Sequence, residues 1–127
     1  MIKNLFIITF FLFITSSFAC NLESNKEIQD CINNTTRMIE MPSCIEKEYT
    51  SCDKLLNEEY KNAMKRANSK QKIQLRDMER LWLKFIDLHC SINHNSDNIA
   101  FRTKADECRI WETKQRIKEL KTYFPQN

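Results

Sequence analysis

The stretch ERLWLKFIDLHC, residues 79–90, holds two large aromatic side chains, an aspartate, a histidine and a cysteine within twelve positions. That density invites comparison with an active site, but the spacing reads differently. On a helix Met78, Trp82, Phe85 and His89 fall on one face at steps of four, three and four, because residues three and four apart are neighbours on a helical surface. Trp82 and Phe85 are therefore expected in a core. Cys90 lies beside that face near the helix end, within reach of another helix.

Working outward, the chain of 127 residues contains no glycine, and its two prolines are Pro42 and Pro125. Hairpin sheets draw on glycine for their turns, so a glycine-free chain is poorly suited to them. Between the prolines the sequence is rich in Lys, Glu, Leu, Gln, Arg and Met, all good helix formers. Apolar spacing divides it into three long helices. The first runs from Ile45 to about Ala67 with a stripe of Tyr49, Cys52, Leu55, Leu56, Tyr60, Ala63 and Met64, the three-and-four pattern of one buried face. After a turn at Asn68-Ser69, the second begins near Gln71 and carries Ile73, Leu75, Met78, Leu81, Trp82, Phe85, Ile86 and Leu88. The segment 93–98 is the most loop-like. The third helix carries Ile99, Ala105, Cys108, Trp111 or Ile110, Ile117, Leu120 and Phe124, and stops before Pro125. Residues 20–43 read as a shorter helix and a loop. The expected fold is all-α: three long antiparallel helices in a small bundle with a short N-terminal helix and loop, stapled by disulfides.

Residues 1–19, MIKNLFIITFFLFITSSFA, show one lysine, an apolar run and a small-residue end, the layout of a secretory signal peptide. The apolar stretch is short for a membrane span, which needs about 20 residues. The reading is export, with a single helical domain over residues 20–127. Cys20, just after the signal, is also where lipidation would attach an acyl chain, and membrane attachment arises only in that case. Ser17 and Phe18 do not fit a lipoprotein signal, and parity agrees: all six cysteines lie after residue 19, an even count that in an exported domain reads as three disulfides. Six cysteines allow 15 pairings. Proximity favours Cys31 with Cys44 and Cys90 with Cys108, leaving Cys20 with Cys52.

Several chemistries fit poorly. Without glycine there is neither a phosphate-binding loop nor a nucleophile elbow. His89, Cys90, His94 and Cys108 lack the paired short spacings of a zinc site, and an oxidising compartment favours disulfides. The adjacent acids Glu58-Glu59 and Asp106-Glu107 point apart on a helix and read as solvated surface. No enzyme, metal or cofactor is expected. Asp53, Asn57, Asp87 and Arg116 lie close to apolar stripes, and the expectation is structural: partly buried polar groups that pair and fix helix register.

Those residues, taken in order, carry a resemblance. Cys52-Asp53-x-x-Leu56-Asn57-x-x-Tyr60, then Leu75, then Trp82-x-x-Phe85-x-Asp87-x-x-Cys90, then Cys108 followed by Thr113-x-x-Arg116-x-x-x-Leu120 resembles the LprI-type lysozyme inhibitor family of exported bacterial proteins, over roughly residues 31–121. Glu79, Leu81 and Ile86 depart from the family's pattern, as does the lack of glycine between the last two cysteines. The resemblance implies a helical domain in which Cys31–Cys44 and Cys90–Cys108 are the family's pairs and Cys20–Cys52 is an addition. It further implies, for some members, inhibition of lysozyme.

Charge bears on the partner. Without Lys3 the chain holds nineteen basic and seventeen acidic residues, a net of +2. The distribution is uneven: residues 20–60 hold nine acids against four bases, a net of −5, and residues 61–127 hold eight against fifteen, a net of +7. An acidic face would steer towards a cationic enzyme while the basic remainder faces an anionic envelope or membrane; alternatively, antiparallel helices pair these charges across their surfaces. The expected function is an exported protein that inhibits lysozyme or a related cell-wall hydrolase by protein–protein binding. The alternative is an envelope binding or immunity protein for another partner. The candidate contact segment runs from Asn33 to Ser43, with Asn34, Arg37 and Glu40 between, because a disulfide pre-organises a loop and lowers the entropy cost of binding. Export and the interleaved acids disfavour nucleic acid.

Overall fold

In the computed structural model, residues 19–91 and 97–125 are described. Their elements are α1 (Lys26–Asn33), a 3₁₀ turn (Met38–Glu40), α2 (Met41–Arg66), α3 (Ser69–Ser91) and α4 (Ile99–Thr122), and no strand occurs among the described residues. The described residues form an all-α bundle of three long helices and one short one, closed by three disulfides. Pro42 sits in the first turn of α2, where its missing N–H costs nothing and its fixed φ suits the helix. The link to α3 is only Ala67-Asn68. There the Asn68 N–H donates to Gln71 Oε1 (2.8 Å) and the Gln71 N–H donates to Asn68 Oδ1 (2.9 Å), a reciprocal cap of the box type. Asn98 caps α4 by accepting from the Ala100 N–H at 2.9 Å. At the far end Arg66 donates to the carbonyls of Leu120 (2.8 Å) and Tyr123 (3.0 Å), so α2 supplies donors to carbonyls at the C-terminal end of α4.

Consecutive long helices run antiparallel, which makes α2 and α4 parallel. Ile45 and Ile110 share one core cluster with Ile28 and Cys52, while Leu56, Ala63, Ile117 and Leu120 form the other with Leu75. The interface between α2 and α4 is the principal one, and α3 packs chiefly on α4. All three disulfides join the pairs expected from proximity: Cys20–Cys52, Cys31–Cys44 and Cys90–Cys108. Each loop restricts the unfolded chain by about 3 kcal/mol on the chain-entropy account.

The opening stretch is helical, but its buried face is not the expected one. Phe85 is 51% and Met78 40% exposed, whereas α3 buries Leu75, Ile86 and Cys90. The line that meets the bundle is Leu75, Glu79, Trp82, Ile86 and Cys90, roughly 70° around the helix from the expected row at about 100° per residue. Both rows contain apolar residues, so periodicity alone could not choose. Contacts outside the helix decide: the disulfide from Cys90 to Cys108 and the ion pair of Glu79 with Arg116. Trp82 belongs to both rows and is partly buried. On α4 the alternative at 110 and 111 resolves to Ile110, fully buried, with Trp111 exposed. Tyr49, Ile73 and Leu88 also lie in solvent rather than in the core. Most of the segment 93–98 lies outside the described residues.

Candidate functional site

The segment between Cys31 on α1 and Cys44 on α2 is a short closed loop. Its disulfide holds the two Cα atoms 5.7 Å apart. Local hydrogen bonds shape the rest: Thr35 Oγ1 donates to the Cys31 carbonyl (2.8 Å), the Glu40 N–H donates to the Arg37 carbonyl (3.0 Å), and Ser43 Oγ donates to the Glu40 carbonyl (2.7 Å). Asn33, Asn34, Arg37, Glu40 and Ser43 are all exposed. Sequence reasoning did not single out the apolar tip between them, where Met38 is 56% and Ile39 69% exposed. Ile39 and Pro42 also edge a shallow depression completed by Ile99, Arg102, Thr103 and Asp106 on α4. The disulfide thus holds an adjacent Met-Ile pair in solvent on a closed loop.

Asp53, Asn57 and Asp87 are exposed, which corrects the expectation that they are partly buried. The cause is their phase: the buried line of α2 is Ile45, Glu48, Cys52, Leu56 and Ala63, and Asp53 and Asn57 each sit one residue past it. Asn57 donates instead to the Asp53 carbonyl (2.9 Å) and carboxylate (3.3 Å), and Asp87 pairs with Arg109 at 2.7 Å. Asp53, Asn57 and half-buried Tyr60 come together on one wall of a groove whose other wall is Arg76, Glu79, Arg80 and Leu83 of α3.

Arg116 and Thr113 do lie inside. The Arg116 guanidinium donates to Glu79 Oε2 from two nitrogens (2.9 and 3.0 Å), to Glu119 Oε2 (3.0 Å) and to the Tyr123 hydroxyl (3.2 Å), and lies 5.9 and 5.5 Å from the Trp82 and Tyr123 ring centres. Burial works against its charge, yet hydrogen bonding and charge from Glu79, with Glu119 behind, outweigh that and hold its pKa above the ordinary value. This is a packed ion pair that fixes α3 on α4. On the exposed surface of α1, the Asn21 amide donates to Glu27 at 2.8 Å and lowers its pKa, and Asp30 raises that of Lys26.

The pair that sequence reading missed is Glu48 with Lys114. Both side chains are fully buried, with Lys114 Nζ 2.5 Å from Glu48 Oε1. The same ammonium donates to the Ser24 carbonyl (2.7 Å) and Asn25 Oδ1 (2.9 Å), so all three of its hydrogens are used. Glu48 also lies near Cys20 and Cys52 in a group with metal-ligand composition, but those sulfurs are bonded to each other and offer no thiolate, the form that binds metal. Cys90 and Cys108, the sulfurs of the alternative zinc set, are likewise joined, and His94 lies outside the described residues. A family model described as Lysozyme inhibitor LprI matches residues 31–120. No curated protein and no solved structure matches the chain.

Proposed function

The chain belongs to the LprI lysozyme inhibitor family, and from that premise we propose that it is an exported inhibitor of lysozyme or a related cell-wall hydrolase, acting by protein–protein binding through residues 33–43. The observation that carries this reading is the apolar tip Met38-Ile39, held in solvent on a loop closed by Cys31–Cys44. Ordering a loop in advance lowers the entropy cost of docking, so a short insertion of this kind gains affinity from few contacts. Around the tip, Asn33, Asn34, Arg37, Glu40 and Ser43 supply the polar rim.

Charge near the loop supports the same reading. Residues 20–43 expose Glu23, Glu27, Asp30 and Glu40 against Lys26 and Arg37, an acidic excess that attracts a cationic enzyme. The protein is an inhibitor rather than an enzyme in this reading. Residues 1–19 serve as its signal peptide, and residues 20–127 form the released domain. Cys20 is bonded to Cys52 and packs against the core, which supports a disulfide role over acylation.

Lysis of a peptidoglycan suspension by lysozyme, with the oxidised protein added in increasing ratio, tests the proposal. Dose-dependent protection that falls at least tenfold in potency in the M38D/I39D variant is the expected result. Absence of protection at large molar excess would leave an envelope binding or immunity protein for a different partner.

A further inference from the structure

The solvent side of α3 is used by neither the core nor the inhibitor loop. Lys72, Arg76, Arg80 and Lys84 recur every four residues and are all exposed, so they form one continuous ridge along the helix. Next to Arg80 and Lys84 on the outermost face of the helix lie Ile73, Leu81 and Leu88, 55%, 66% and 75% exposed. Phe85, also exposed, flanks them and stacks on His89 at 5.1 Å between ring centres.

The acids of α3 do not cancel its cations. Glu79 is committed to Arg116 and Asp87 to Arg109. Among the described residues Lys70, Lys72, Arg76 and Lys84 have no carboxylate partner, and Arg80 has only a 3.7 Å contact with Asp77. α3 thus offers five cations beside exposed apolar side chains, with Asp77 its one acid not committed to α4; Arg76 and Arg80 also line the groove opposite Asp53.

We propose that this face of α3 docks the protein onto an anionic phospholipid surface. A basic flank beside exposed apolar residues is the arrangement that lies in the plane of a membrane interface, with apolar side chains entering the acyl boundary and Lys and Arg reaching headgroup phosphates. Charge decides between occupants. A cationic lysozyme is repelled by this ridge. A second copy would bring two unneutralised basic rows together, and an acidic polymer would leave Leu81, Phe85 and Leu88 in water. No helix among the described residues is long and apolar enough to cross a membrane, so the contact is peripheral, and it needs no acyl group on Cys20. The inference stands independently of lysozyme inhibition.

The test is flotation of the exported, oxidised protein with vesicles of phosphatidylcholine alone or mixed with phosphatidylglycerol. Binding to the mixed vesicles only, weakened by salt and reduced about tenfold or more by R80E/K84E, is expected, since each cation contributes separately at an anionic surface. L81Q/L88Q reduces it comparably through the apolar side chains. These positions are exposed, and unchanged circular dichroism with intact disulfides shows that the variants remain folded. Equal binding to both vesicle types, no binding at low salt, or binding indifferent to both variants would overturn the proposal. A monomer–dimer equilibrium abolished by L81Q/L88Q without vesicle binding would overturn it too, and give the face to a second copy.

Discussion

Lys114 and Glu48 show how a charged residue hides inside an apolar stripe. On α2 the buried line steps from Ile45 to Glu48 to Cys52, and on α4 from Ile110 to Lys114 to Ile117; each charge occupies a phase where periodicity expects a hydrophobe. Reading α2 by apolar residues alone selects Tyr49, the exposed neighbour of Glu48. A gap in a stripe filled by opposite charges on two helices was the available signal. Removing one partner strands the other as an uncompensated buried charge, and losses of about 3–5 kcal/mol are usual for such a change. K114A is therefore expected to lower unfolding free energy in urea by that amount and to loosen residues 24 and 25, whose polar groups it holds. E48L/K114M, which replaces the pair with apolar groups of similar size, should cost distinctly less. Equal losses in the single and double variants would show that packing, not an uncompensated charge, sets the cost.

Among the elements, existence and order were readable and rotation was not. Lack of glycine, helix-forming composition and the three-and-four spacing led to three long helices, and loop proximity led to all three disulfide pairs. The orientation of α3 was hidden because it has apolar residues around most of its circumference while only Leu75, Ile86 and Cys90 are buried. Similarly, the spacing of Asp53, Asn57 and Tyr60 carried the family resemblance without revealing that they line a groove against α3. A helix with so little buried apolar surface opens at lower free energy than its neighbours. Amide hydrogen exchange should show α3 less protected than α2 and α4. Because Cys90–Cys108 ties its C-terminal end to α4, C90S/C108S should lower protection in α3 further while leaving the α2–α4 interface, with Leu56, Ala63, Ile117 and Leu120, comparatively protected. Uniform loss across all helices would mean that α3 unfolds only with the whole domain.

For the whole molecule, the imbalance of −5 over residues 20–60 and +7 over 61–127 is partly internal, since Glu48 and Lys114 cancel across the core. What remains outside is mixed on α2, where exposed Lys47, Lys54, Lys61 and Lys65 stand among Glu46, Asp53 and Glu58, while residues 20–40 expose Glu23, Glu27, Asp30 and Glu40 against Lys26 and Arg37, and α3 carries the basic ridge. On the two proposals made above, the loop meets a cationic enzyme and α3 an anionic membrane, and the two contacts do not compete for the same residues. Their independence is testable with variants already described. R80E/K84E takes the net charge of residues 20–127 from +2 to about −2, since each reversal removes two units, and a more negative protein meets a cationic lysozyme faster at low salt. It should therefore lose vesicle binding while protection against lysozyme holds or improves. M38D/I39D should do the reverse, because its added acids lie on the loop and leave α3 untouched. If R80E/K84E abolished both activities with its helicity and disulfides intact, the basic face would be the enzyme-binding surface, and the assignment of the loop would fall with the separation of roles.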